Sequence, residues 1–537
     1  MGTSCSDVLD LNPADRFSPA TVWSTTTTAD KYVIGLYSIF GANTEMRGGD
    51  AYASPRLSDA YSDILKSTSW NQYNHNFNAT LLQETAFNSN SAGAFECWSS
   101  HYDRIRRENE FLRDAAEFGS KFGEDWLKIR IAEVRFCRAY AYFMLCRVYG
   151  GVILRTEVDG PEQNDKARST EEECWGFIIN ELKELAPDLP LKWDSDNSGR
   201  ATQKAAYGLL SRVALYAEKW DIAAQAARDC ATAEGNLDLS ENGYAKIFEL
   251  GINSPEVLFA VEFKSSVIDH AYDAYVRPSG DTKELGKQVY SGFVPTSELV
   301  DSYEMAGDGG NFSWEKHGKD PYANREPRFY ATILYNGADW MGRKIESFVG
   351  GKDGYKAYEN AGAAGTTVTG YYLRKYLIDG DKTWVTSGSG QDWIVLRYAE
   401  VLLNKAEALA MENWNKNSAE ALQALNDVRA RVGLPARATA DKETFLEYVR
   451  HERKVELAGE GFRYWDLRRW RLAEKVIDGQ NVHGVKISKQ SDGSFTYEQV
   501  DADGGHKRIF YDRYYRFAIP LSERSNNSLC TNNDGWI

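Results

Sequence analysis

The chain has 537 residues, and its 63 Lys plus Arg against 78 Asp plus Glu leave a formal charge of −15, which makes nucleic acid a poor partner because the protein repels phosphate backbones. At 42% hydrophobic and 26% charged residues the composition is ordinary and globular; it indicates neither disorder nor a membrane-embedded body, and no apolar run reaches the roughly 18 to 20 residues of a spanning helix. The 15 Trp and 31 Tyr are many and the 13 Pro few for this length, so long helices are permitted and the surplus aromatics ask for a use beyond the core.

In chain order, Gly2-Thr3-Ser4 are small residues of the kind that precede a bacterial lipoprotein cysteine, and Cys5 follows them. Residues 1–20 read as a tether. Cys5 is either the lipidated first residue of a mature chain whose signal was removed, or a free terminal cysteine. Tyr32 to Gln83 breaks into short segments, with an Asn-rich stretch from Asn71 to Asn90. Helices are expected over Trp98–Glu117, Trp126–Tyr149 and Glu172–Leu185; the second carries bulky residues three and four apart and stops at Gly150-Gly151. Ala201–Glu218 and Asp221–Thr232 make a hairpin packed through Ala223, Ala224, Ala226 and Ala227. Val395–Met411 and Ser418–Val432 repeat that layout around a polar break, with Ser418 as N-cap.

Residues 233–390 have a different texture, rich in Gly, Tyr and Asn, with strand-like pieces at Val257–Phe263 and Tyr371–Leu377 and no helix beyond about three turns. The fold class expected is mostly α: one body in which 21–232 and 391–537 form a scaffold of TPR-like hairpins, lacking that repeat's tryptophan-leucine-glycine signature, and 233–390 form an inserted loop-rich lobe. Binding residues belong on such a lobe.

Catalytic motifs are wanting. The seven histidines are scattered without HExxH, and GxSxG is absent. Gly337–Lys344 has the glycine spacing of a phosphate loop without its GK[ST] ending. Asp194–Gly199 imitates the start of a calcium loop, but Ala205 stands where a bidentate Glu is needed, so a helix N-cap entering Ala201 is the better reading. The seven cysteines include no CxxC pair. Those from Cys97 to Cys230 read as small buried residues, and no metal or cofactor is expected. Spacing among 78 carboxylates singles out no glycosidase pair, because that requirement is a distance in space.

The strongest local signal is Arg450–Trp470, RHERKVELAGEGFRYWDLRRW. Taken by itself it is a charged helix whose aromatics dock under the scaffold and whose Arg463, Arg468 and Arg469 pair with Glu452, Glu456 and Asp466. It resembles the hallmark of the SusD/RagB family of outer-membrane glycan-binding lipoproteins. Further segments resemble that family in the right order, among them Arg135–Leu154, Arg200–Ala217, Pro295–Met305, Asp320–Thr332, Thr369–Tyr376, Leu396–Leu409 and Phe517-Ala518-Ile519-Pro520. The resemblance implies about four TPR-like hairpins, lipidation at Cys5, and an outward-facing outer-membrane location. It also implies a non-catalytic role in capturing oligo- or polysaccharide for a SusC-like TonB-dependent transporter.

The family's binding residues vary with the glycan, so the site is sought from physics. A sugar offers a C–H face and a rim of hydroxyls, which calls for an exposed aromatic beside polar side chains. Trp70, Tyr73 and Asn74, in Ser69–Asn76, meet that demand best; Tyr290 follows, then Tyr272, Tyr275, Arg343 and Tyr372. Trp98, Trp126, Trp220, Trp465 and Trp470 lie in helical patterns and are expected in the core. Two other classes remain: a peptide-binding TPR-type adaptor and a glycoside hydrolase.

Overall fold

The computed structural model describes residues 18–42, 57–68, 87–160, 165–358 and 366–536. Helices α1 (Trp98–Phe118) and α2 (Glu124–Tyr149) are joined by a turn through Gly123, whose φ of 91° suits glycine. From Ala132 to Tyr149 nearly every residue of α2 is buried, which makes it the central rod of the scaffold. It stops at Gly150, where φ is 75° and a β-carbon would lie 2.7 Å from the Arg516 side chain. Helix α3 (Glu171–Leu185) begins with a reciprocal capping box between Thr170 and Glu173. The pair α4 (Gln203–Tyr216) and α5 (Trp220–Thr232) packs closely because α5 presents Ala223, Ala224, Ala226 and Ala227. Each of these helices packs on the next, α5 packs on α7 (Tyr398–Arg431) across the lobe, and α7 packs on α8 (Lys442–Glu456). The architecture is mostly helical and TPR-like.

Several boundaries differ from the sequence reading. Val395–Arg397 is not helical: it belongs to strand β4 (Trp393–Arg397), antiparallel to β2 (Val257–Val261). A short apolar run buried on both faces fits strand or helix equally well, and only the partner decides. Within α7 the break falls at Asn413 (φ −164°, ψ 93°) and the helix resumes at once, so Asn413 rather than Ser418 is the N-cap; its side chain accepts from Lys416 N at 3.2 Å. Asp194 caps only its own 3₁₀ turn, accepting from Asn197 N at 3.0 Å, while Thr202 caps α4. Gly337–Lys344 is a β-hairpin turning on Met341 (φ 51°) and Gly342 (φ 73°), the tight turn that suits twisted strands; no phosphate cradle forms.

The lobe holds no described helix longer than the eight residues of Gly243–Leu250. It joins the scaffold through a buried ion network. Arg397 of β4 donates to Glu256 (2.9 Å), Glu456 (2.6 Å) and Glu460 (2.7 Å). Arg328 of the lobe reaches Glu326 (2.6 Å), Glu452 (2.5 Å) and Glu456 (2.9 Å). Arg431 adds Glu256 (2.6 Å) and also pairs with Glu456. No side chain in this set is more than 1% exposed. The pairing expected inside the signature segment is thus only partly realised. Arg469 meets Asp466 at 2.8 Å, whereas Arg463 pairs with Asp63 at 2.8 Å and Glu452 and Glu456 turn to arginines from elsewhere. Among the described residues Arg468 has no carboxylate partner: it donates to Tyr515 O and lies over Trp465 and Phe517, 4.7 and 4.4 Å from the ring centroids.

Trp98 and Trp465 are buried as expected, while Trp126, Trp220 and Trp470 are only half-buried. Trp465 sits between the Arg147 and Arg468 guanidinium groups, with Arg147 4.1 Å from its ring centroid. Trp465→Ala should therefore lower the unfolding free energy by about 3 to 5 kcal/mol, measured by urea denaturation.

Candidate functional site

Strands β1 (Leu65–Ser67) and β3 (Phe293–Pro295) pair antiparallel, and Thr68 N donates to Gly292 O at 3.0 Å. The chain thereby reaches the neighbourhood of Tyr290 at the last described residue before 69. On the other side of that loop stands α6 (Tyr272–Val276). Tyr290 N donates to Ala274 O (2.7 Å), Gly292 N to Tyr275 O (2.6 Å) and Ser291 Oγ to Arg277 O (3.0 Å). Three backbone-directed bonds fix the loop against the helix, with Ser291 held at φ 45°. The Tyr275 and Tyr290 rings come together with centroids 4.8 Å apart and planes tilted by 44°.

These rings form one wall of a cleft of about 530 Å³ whose polar lining includes Asp269, Lys287, Gln288, Thr386 and Ser387. Tyr290 is half-buried, its ring flanking open space, while Tyr275 is 5% exposed and backs it. Lys287 is anchored, its Nζ donating to Val385 O (2.7 Å) and Trp384 O (3.2 Å). At the lip, Val267 is 69% exposed on a tight turn closed by the Lys264 and Ile268 pairing. Behind the cleft Arg277 is fully buried between the Trp340 and Trp384 rings, each 5.2 Å away, and donates to Asp273 at 2.7 Å. Such an arrangement offers a flat aromatic face, hydroxyl and amide groups, and one carboxylate.

The structure brings Tyr275 and Tyr290 together and disperses the other described candidates. Tyr272 is fully buried and donates to Lys375 O at 3.1 Å, edge-on to His270 and Tyr376. Tyr372 is also fully buried and donates to Asp353 O at 2.8 Å. Both are corrected to core residues: a phenol needs only one carbonyl partner to be buried well, even in a glycine-rich stretch. Arg343 is likewise structural. It grips Asp353 through two nitrogens (2.6 and 2.9 Å) and Asp281 at 2.7 Å, with both carboxylates fully buried. Burial pushes the Asp281 carboxyl upward against the pull of Trp340 and Arg343. Trp70, Tyr73, Asn74 and Cys5 lie outside the described residues.

Sequence reasoning missed Gln288 and Lys287. A signal existed: Gln288 and Tyr290 face the cleft while Val289 and Ser291 are fully buried, the period-two alternation of an extended segment. Asp269, Thr386 and Ser387 come from distant segments, and nothing local marks them. Among the described residues no group of three or more His, Cys, Asp or Glu is placed to hold a metal ion, and no helix is long and apolar enough to cross a membrane. The six described cysteines are buried and form no disulfide with one another.

A family model described as the SusD family matches residues 255–536, more than half of the chain. A second, described as "starch-binding associating with outer membrane", matches residues 7–215. The chain is 25% identical over 531 residues to a SusD-like protein of Bacteroides ovatus, covering 93% of this chain and 87% of that one. Its structure resembles that of a SusD-like protein from Bacteroides fragilis NCTC 9343 with a TM-score of 0.82 and 27% identity, over 98% of this chain and 100% of the other. A SusD-like carbohydrate-binding protein of the same organism shares the fold with a TM-score of 0.79 at 24% identity, covering 95% and 99% of the two chains.

Replacing Arg343 with Ala strands two buried carboxylates and should lower the unfolding free energy by about 3 to 5 kcal/mol. A denaturation midpoint equal to the parent's would show that Arg343 is not part of the core.

Proposed function

Because this chain belongs to the SusD family, we propose that it is a non-catalytic surface protein that captures oligo- or polysaccharide in the Tyr275–Tyr290 cleft. In this reading it is lipidated at Cys5, sits on the outer face of the outer membrane, and delivers its ligand to a SusC-like TonB-dependent transporter. The observation that carries the reading is the half-buried Tyr290 face, backed by Tyr275 and ringed by Lys287, Gln288 and Asp269 on an open cleft. A pyranose lays its C–H face on such a ring and its hydroxyls on the polar rim. A few contacts of this kind on an open surface correspond to roughly −4 to −8 kcal/mol, millimolar to micromolar affinity, which suits capture followed by release.

Trp70, Tyr73 and Asn74 are proposed as the second half of the same site, since Thr68 is already hydrogen-bonded beside Tyr290. Absence of turnover is proposed on chemical grounds. Hydrolysis of a glycosidic bond uses two flanking carboxyl groups, and Asp269 is the single carboxylate among the described residues that line the cleft.

Affinity electrophoresis in a panel of polysaccharides, run beside a reducing-sugar assay, tests this reading. Retardation by at least one polymer without sugar release is expected, and release that a single carboxylate replacement abolishes would overturn it. Tyr290→Ala and Trp70→Ala should each weaken binding by about fivefold or more, by analogy with bases stacked on aromatics, while leaving the melting temperature close to the parent's. In cells, Cys5→Ala should remove the protein from the outer-membrane fraction, because the lipid is its only anchor in this reading.

A further inference from the structure

A second cavity, about 240 Å³, opens on the helical scaffold where α4, α5, α7 and α8 converge on the segment after Trp470. Two tryptophans line it, and they differ. The Trp470 indole is tied down: its N–H donates to Glu407 at 2.8 Å, and the Arg469 guanidinium lies 4.7 Å from its ring centroid. Trp220, at the first position of α5, is half-buried, and among the described residues its ring has no aromatic or cationic partner and its N–H no acceptor. An indole with an open face and an open donor is thus held beside a fixed one.

The rim carries an independent sign. Glu218 (φ 54°) and Arg471 (φ 56°) both stand in the left-handed region. Each occupies the residue just past a helix end, as shown by the wide-turn bonds Lys219 N to Ala214 O (2.9 Å) and Leu472 N to Leu467 O (2.8 Å). Glycine is the usual occupant there, because a β-carbon is strained in that conformation. Here one position holds an acid and the other a base, and both are exposed at the mouth of the cavity. Neither has a close ion-pair partner among the described residues: Glu218 has none, and Arg471, whose guanidinium lies 4.2 Å from the Tyr515 ring centroid, reaches Asp512 only at 4.0 Å. Strain retained at two charged residues around one open indole is a mark of function rather than of packing.

The ligand class follows from the chemistry. Opposite charges on one rim favour neither an anion nor a cation, and suit a neutral ligand rich in hydroxyls. A flat indole suits a C–H face. We propose that this cavity is a second carbohydrate site, which takes one neutral pyranose unit on Trp220, with Glu218 accepting from its hydroxyls and Arg471 donating to them. It shares substrate chemistry with the lobe cleft but does not depend on that cleft.

The test uses the full chain labelled with fluorotryptophan, the Trp220 and Trp470 signals being assigned from Trp220→Phe and Trp470→Phe. Glucose, galactose, mannose and xylose, and oligomers of α-1,4- and β-1,3-linked glucose, are titrated while fluorine NMR is recorded. A saturable shift of the Trp220 signal with at least one sugar is expected, and it should persist in Tyr290→Ala. Glu218→Gly and Arg471→Gly should hold or raise the melting temperature, since the backbone strain is relieved, yet weaken binding at Trp220 by about fivefold. No saturable shift at Trp220 with any of these sugars overturns the proposal, as does parental affinity in both glycine variants or loss of the Trp220 response in Tyr290→Ala. A Trp220 response that survives while Tyr290→Ala changes nothing elsewhere would instead overturn the lobe cleft and leave this site standing.

Discussion

Glu456 is the residue on which the two halves of the molecule meet. It stands on α8 and takes Arg328 from the lobe, Arg397 from β4 and Arg431 from the end of α7. These cations hold its carboxyl well below the usual carboxylate range against the strong opposing effect of burial. Removing charges from water is expensive, and the attraction offsets that only if every group finds its partner. Glu256, Glu452 and Glu460 complete the set, and Lys375, its ammonium brought down to about 8 by burial, joins Glu460 at 2.9 Å. Such a network discriminates: a lobe docked one residue out of register would leave several buried charges unpaired.

That requirement explains how a lobe with little regular structure supports a shaped cleft. Its strands are short and its helices of one or two turns, so local hydrogen bonding alone would not hold it. Its apolar residues, among them Phe329, Ile333, Trp340 and Leu373, share one continuous core with the helices, and its register is set by charge chains fastened to the scaffold and by a second chain, Asp273, Arg277, Asp281, Arg343 and Asp353, behind the aromatic pair. The Tyr290 loop can then stay open to solvent while its backbone is tied to α6. Rigid support beneath and an accessible ring above are what a shallow site for a hydroxyl-rich ligand needs.

The scaffold uses its aromatics in two ways. Trp465 is buried and meets the half-buried Phe95 edge-on, with centroids 4.9 Å apart and planes at 66°, beside Tyr464. Trp220, in the same helical framework, packs against the core yet stays half-buried, with no aromatic or cationic partner for its ring among the described residues. Identical residue types on similar helices thus serve packing in one place and surface chemistry in another, and the difference lies in what the neighbouring helix covers.

The amino-acid sequence by itself determined the mostly helical fold, its long helices, and the importance of Arg450–Trp470. Those are properties of periodicity, composition and local motif, which tertiary contacts do not reverse in a helix as long as α2. Tertiary structure decided the rest. Val395–Arg397 became a strand because β2 lay beside it, and Asn413 took the cap because its side chain reached the Lys416 amide. Tyr272, Tyr372 and Arg343 resembled surface ligands in a glycine-rich stretch, yet burial claimed them once a carbonyl or carboxylate partner closed over each. Tyr290 alone among the described tyrosine candidates is only half-buried, on a loop fastened to α6 through its backbone. Exposure depends on residues distant in the chain, and a one-dimensional pattern carries no record of them.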